Sequence, residues 1–142
     1  MGAILNRFEF RQKMLNCRQG LFIVFNEKRL PKDAPVISLG PELSKLLIPI
    51  SKERRSGEAP ALLSVIVQEY TSVSLTHIDI LFTEYLFLDV ARVLLSLCRN
   101  RNIYIVWPGR YIDGKLVYAS PSDPEYYDCD PSRLIDTYIV LE

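Results

Sequence analysis

Leu21 to Phe25 is an apolar run of β-formers, and the residues after such a run decide whether an α/β chain can hold a nucleotide. Glycines there let backbone N–H groups wrap phosphate oxygens, a Lys reaches the outer phosphates, and a Ser or Thr holds magnesium. This chain continues Asn26-Glu27-Lys28-Arg29-Leu30-Pro31-Lys32-Asp33, with no glycine and no Gly-Lys followed by Ser or Thr. The next strand candidate, Val36-Ile37-Ser38-Leu39, follows too closely for a full crossover helix, which takes at least about 10–12 residues. The phosphate loop and its helix are both expected to be missing. Lys28, Arg29 and Lys32 are read as a solvated loop face, with contact to an anion as the alternative.

The second signature of nucleotide hydrolysis is an apolar strand ending in acids that hold the metal and orient water. Val73-Ser74-Leu75-Thr76-His77-Ile78-Asp79 is a weak match, because its one acid, Asp79, is followed by further apolar residues. Asp79 is the only metal candidate. The single His, His77, lies in an apolar stretch and reads as a satisfied structural side chain. There is no G-x-S-x-G nucleophile motif. Asp123, Glu125, Asp128 and Asp130 read as a solvated acidic loop. Cys17, Cys98 and Cys129 are odd in number and never paired as C-x-x-C, which argues against a disulfide framework or a zinc site and for a reduced, cytoplasmic compartment.

Elements must position whatever chemistry remains. The 142 residues are a one-domain length, read as a single unit over 1–142. With 49% hydrophobic residues, 24% charged residues and a net charge of +0, disorder and a wholly basic nucleic-acid binder are both excluded. No apolar run approaches the roughly 20 residues of a membrane span, so no membrane partner is expected. Arg7, Glu9 and Arg11 come too soon for a signal-peptide core. Met1-Gly2 opens like a myristoylation motif, but Asn6 stands where that motif takes Ser or Thr.

Residues 4–17 read as a helix with Ile4, Leu5, Phe8, Met14 and Leu15 on its buried stripe. Gly40-Pro41-Glu42 opens a second helix, with Leu43, Leu46 and Leu47 inward and Pro49 as its limit. Residues 52–57 read as a solvated link. A third helix starts at Ala59 or Pro60, burying Leu62, Leu63, Ile66, Val67 and Tyr70. Val73 to Phe82 reads as a strand. Asp89 caps a fourth helix, with Val90, Val93, Leu94 and Leu97 inward and Arg99 and Arg101 near its negative end. Ile103 to Trp107 is a buried strand broken by Pro108-Gly109. Asp113-Gly114 between β-prone flanks is the strongest hairpin signal, and Thr137 to Leu141 is a terminal strand. Strands alternating with helices predict an α/β fold: a mostly parallel sheet flanked by helices, with an antiparallel hairpin near the C-terminal end.

Several blocks from Ala34 onward resemble a known family. They are Pro35-Val36-Ile37-Ser38-Leu39-Gly40-Pro41-Glu42-Leu43-Ser44 with Arg54-Arg55, then Ile78-Asp79-Ile80-Leu81-Phe82, then Leu94 to Asn102 leading into Val106-Trp107-Pro108-Gly109. The most specific is Tyr111-Ile112-Asp113-Gly114-Lys115-Leu116-Val117-Tyr118-Ala119-Ser120-Pro121, completed by Pro124-Glu125-Tyr126. In order, over roughly three quarters of the chain, they resemble BrxF, the small P-loop-containing component of bacterial BREX phage-exclusion systems. The resemblance implies a P-loop NTPase-like fold, here degenerate. The phosphate loop has no counterpart after Phe25, and Thr76 and His77 stand where the family places its metal-site acid.

The leading expectation is therefore a non-catalytic subunit with no cofactor, acting through contacts with other phage-defence proteins. Arg99, Arg101, Trp107, Arg110, Tyr111, Tyr118, Glu125 and Tyr126 are its interaction candidates, since Arg and aromatic side chains anchor interfaces. The plainer reading has Arg99 and Arg101 capping a helix and Trp107 in the core. The alternatives are an ATPase component, using ATP and magnesium, completed by a partner subunit, and an accessory DNA-binding module. The zero net charge is itself a cancellation. Residues 1–59 hold 11 basic and 6 acidic side chains, residues 60–142 hold 6 and 11, and such poles suit partners of either sign or self-association.

Overall fold

A computed structural model describes residues 3–141. Met1 and Gly2, the start of the myristoylation-like motif, lie outside the described residues. Six strands form one parallel sheet: β1 (Ala3–Leu5), β2 (Gly20–Val24), β3 (Val36–Ser38), β4 (Ser72–Thr76), β5 (Asn102–Val106) and β9 (Thr137–Val140). Their spatial order is β1-β9-β2-β5-β4-β3, and every pairing is parallel. Three more strands, β6 (Arg110–Ile112), β7 (Lys115–Tyr118) and β8 (Tyr127–Cys129), form a small antiparallel sheet. The α/β class, the parallel sheet with flanking helices and the hairpin all match the sequence reading. The hairpin turns on Asp113 and Gly114, both at positive φ, as a two-residue connection of matching twist requires.

Both faces of the sheet are covered, so β2 reads as an unbroken apolar run, buried at every position. On one face lies α1 (Arg7–Asn16), whose Phe10 meets Phe22 at 5.5 Å, while Phe22 stacks between Tyr104 and Tyr138 at 5.1 Å each. On the other face α2 (Leu39–Leu47), α3 (Arg55–Val67) and α4 (Val90–Ser96) bury Leu43, Leu47, Leu63, Val67, Val90 and Leu94 against Leu21, Ile23, Leu75 and Ile103.

Three expectations are corrected. The first helix begins only after β1, at an N-cap the sequence reading passed over. The Asn6 side chain accepts from Glu9 N–H at 2.8 Å, and Glu9 Oε1 accepts from Asn6 N–H at 2.9 Å. That cap turns the helix so that Phe10 faces the sheet, leaving Phe8 (70%) and Leu15 (81%) exposed. The third helix starts at Arg55, because residues 52–57 are helical rather than a link, and Pro60 lies inside the helix instead of opening it. The strand from Val73 stops at Thr76. His77 adopts a left-handed conformation (φ 52°) and sends the chain into a tight 3-10 turn over Ile78–Phe82.

The missing crossover helix is accounted for by the segment 25–35, which runs from β2 past β5 and β4 to β3. Three strand spacings are about 14 Å, and an extended chain covers about 3.3 Å per residue. The segment therefore spans the gap with one 3-10 turn at Glu27–Arg29 and no helix.

Candidate functional site

In open parallel sheets ligands bind outside the carboxyl ends of the strands, where neighbouring connections leave in opposite directions. Here that point lies between β2 and β5: β2 continues toward the β3 edge, while β5 continues toward β9 on the other side of β2. Val24 and Val106 are paired in register there, and Trp107 N–H donates to the Val24 carbonyl at 2.8 Å.

The protein's own side chains fill this crevice. Trp107 is 3% exposed, and its Nε1–H donates to the Val117 carbonyl at 3.1 Å. Phe82 stands edge-on to Trp107 at 5.4 Å and stacks on Tyr118 at 4.0 Å. Tyr127 closes on Phe82 at 5.6 Å, and Phe25 and Tyr111 meet at 6.5 Å. Gly109 is required, because a Cβ there would run into the Val117 carbonyl. The small sheet thus lies tightly over the turn after β5.

The loop after β2 is equally closed to phosphates. Lys28 N–H is bound to Asn26 Oδ1, Arg29 N–H to the Asn26 carbonyl and Leu30 N–H to the Glu27 carbonyl. Backbone donors spent on their own turn cannot wrap an anion. At the end of β4, Nδ1 of His77 shares hydrogen bonds with Ser38 Oγ at 2.9 Å and Thr76 Oγ1 at 3.1 Å, in agreement with a satisfied His. Asp79 is exposed on the 3-10 turn beyond, and no group of three or more His, Cys, Asp or Glu among the described residues is arranged to hold a metal. These residues do not fit a magnesium–nucleotide complex.

The interaction candidates divide between the two ends of the sheet. Arg99 and Arg101 lie at the amino end of β5. Arg99 is exposed, and Arg101 is tied down, its Nε donating to the Tyr70 carbonyl at 3.0 Å and Nη1 to the Leu97 carbonyl at 2.7 Å. Arg101 therefore closes the C-terminal end of α4, as the plainer reading has it, and Trp107 is core. The other candidates gather at the carboxyl end. Arg110 is exposed, with Nη2 3.5 Å from the Ala119 carbonyl, and Tyr111 and Tyr118 are half-buried in the aromatic cluster. Burial, and then the carboxylates of Asp79, Glu125 and Asp123, raise the Tyr118 phenol above its usual range. Tyr126 donates to Asp128 Oδ2 at 2.7 Å, which raises it likewise.

Glu125 and Tyr126 line an open cavity of about 250 Å³ together with Phe82, Glu84 and Phe87. Phe87 is the residue that sequence reasoning missed. It is 81% exposed and holds φ at 51°. A bulky aromatic in the left-handed region is an outlier, and one that packs against little of its own protein gains no folding energy in return.

Asp89 is a correction. It precedes α4 as expected, but its side chain bonds none of the helix N–H groups. Tyr127 does this instead: its hydroxyl accepts from Ala91 N–H at 3.0 Å and donates to Asp89 Oδ1 at 2.6 Å. Burial, then that bond to Asp89, push the Tyr127 phenol far above its usual range.

No protein-family model, curated protein or solved structure matches this chain. No helix among the described residues is long and apolar enough to cross a membrane.

Proposed function

We propose that this chain is a non-catalytic, degenerate P-loop-like subunit that works by protein–protein contact in a bacterial phage-defence assembly of the BREX type. The resemblance of its later blocks to BrxF supplies the system. The observation that carries the contact role is Phe87, exposed and strained beside Glu84, Glu125 and Tyr126 over an open cavity. Strain retained at an exposed aromatic is a mark of a site that meets something else. The filled crevice between β2 and β5 supports the absence of nucleotide chemistry, since nucleotide entry there requires removal of the Trp107–Phe82–Tyr118 cluster.

The test is copurification. The chain is tagged and expressed with the other proteins of its defence system, as wild type and as Phe87→Ala. The reading expects a stable complex with the wild type and its loss with the variant. A chain that emerges alone and monomeric in both cases overturns it. Calorimetry with magnesium and ATP, first on the isolated chain and then on the assembled complex, tests the non-catalytic part. Heat of binding in either sample refutes it.

A further inference from the structure

Part of the basic half of the chain is gathered at one place. Arg7 and Arg11 stand one turn apart on α1, and Lys28 and Lys32 come from the loop after β2, on the other wall of a groove of about 350 Å³. Phe10 and Leu30 are part of its apolar lining, Arg29 also reaches it, and Asp33 is the only acid among the described residues that lines it. Arg7, Arg11, Lys28 and Lys32 are all exposed, and among the described residues none of the four forms an ion pair. Like charges assembled from two separate elements repel one another, so the groove lowers its energy by taking up negative charge. Phe8 follows Arg7 on the same helix and is 70% exposed.

We propose that this groove binds single-stranded nucleic acid, with Arg7, Arg11, Lys28 and Lys32 on successive phosphates and Phe8 as a platform for a base. A line of cations supplies sequence-independent affinity, and an exposed ring beside it stacks any base. A flexible strand follows a groove between a helix and a loop, and its bases are free to turn onto Phe8. A duplex keeps its bases stacked within itself. The site lies on the α1 face of the sheet, whereas Phe87 stands with the small sheet and the 3-10 turns, so its failure would leave the contact reading untouched.

The experiment is fluorescence anisotropy of the whole chain with a labelled mixed-sequence strand of 20 nucleotides, over a series of salt concentrations. Four phosphate contacts on a single strand give a slope of log affinity against log salt of about −3. Arg11→Gln with Lys28→Gln should flatten that slope by about 1.4 and weaken binding roughly tenfold, while Lys45→Gln with Lys52→Gln removes the same charge elsewhere and changes little. Phe8→Ala, at an exposed position, should weaken binding about tenfold at unchanged slope. Absence of binding at low salt, equal loss in the control variant, or equal affinity for the matching duplex overturns the proposal. So does cosedimentation with phosphatidylserine vesicles when the strand does not bind.

Discussion

The hydroxyl of Tyr127 donates to Oδ1 of Asp89 at 2.6 Å and accepts from Ala91 N–H at 3.0 Å, so a strand of the small sheet caps a helix of the main layer. Removal of that hydroxyl by Tyr127→Phe should cost about 1.5–3 kcal/mol, the scale of a hydrogen bond to a charged group. Urea denaturation should show a lower midpoint at unchanged m-value. A midpoint equal to wild type would mean that Asp89 takes over the cap unaided.

Alkaline pH should destabilise the fold earlier than its surface charge alone would. Burial raises the Cys98 thiol to about 12 and the Cys129 thiol to about 11, and burial together with Asp89 raises Tyr127. For each group the folded-state value exceeds the unfolded one, so its stabilising contribution is whole below the unfolded value. It is lost as pH climbs toward the folded value. Thiols start from 9.0, so urea midpoints should fall steadily from about pH 9 upward. A flat profile between pH 8 and 10.5 contradicts this burial.

Trp107 is the chain's one tryptophan, so its fluorescence reports on the filled crevice directly. Emission should be blue-shifted and poorly quenched by acrylamide in the native state, and move to the red on unfolding. Gly109→Ala forces a Cβ against the Val117 carbonyl and should cost about 1–3 kcal/mol, the usual range for overpacking. Gly57→Ala, in the first turn of α3 with nothing nearby, should instead be neutral or gain a few tenths of a kcal/mol. Equal effects at the two glycines would show that the small sheet is not pressed onto that turn.

Phe87→Gly separates folding from contact. Relief of a left-handed aromatic should stabilise the isolated chain by about 1 kcal/mol, because glycine takes that conformation freely. The contact role proposed above expects the same variant to lose copurifying proteins that the wild type retains. A variant that is less stable than wild type would make Phe87 a folding residue.

Much of this fold was legible because the signals are local. Leu63, Val67 and Leu94 stand on the faces their helical spacing assigns, and Asp113-Gly114 turns the hairpin it announces. The first helix is harder to phase: the apolar residues Phe8 and Leu15 suggest one buried face, while the capping pair Asn6 and Glu9 sets another. His77 gave no sign that it would bend the chain, since a left-handed residue other than glycine is set by its surroundings. The site was the least legible part. Phe82 ends a stretch that reads as a strand and Tyr127 stands between acidic loop residues, so only long-range packing puts them on Trp107. The strand β8 escaped notice for the same reason: three residues between prolines become a strand only because β7 is there to pair with.

The position of β9 constrains how this molecule can be made. β9 inserts between β1 and β2, and among the described residues β1 pairs with β9 alone. During synthesis β1 leaves the ribosome first of the nine strands among the described residues and β9 last of them, so one edge of the growing sheet stays open until β9 emerges. β2 meanwhile exposes a flank of unpaired N–H and C=O groups, a template for any passing strand. Such long-range closure is slow. The nascent chain therefore passes through a stage in which the β2 side is open to wrong pairing, and only the arrival of β9 closes it.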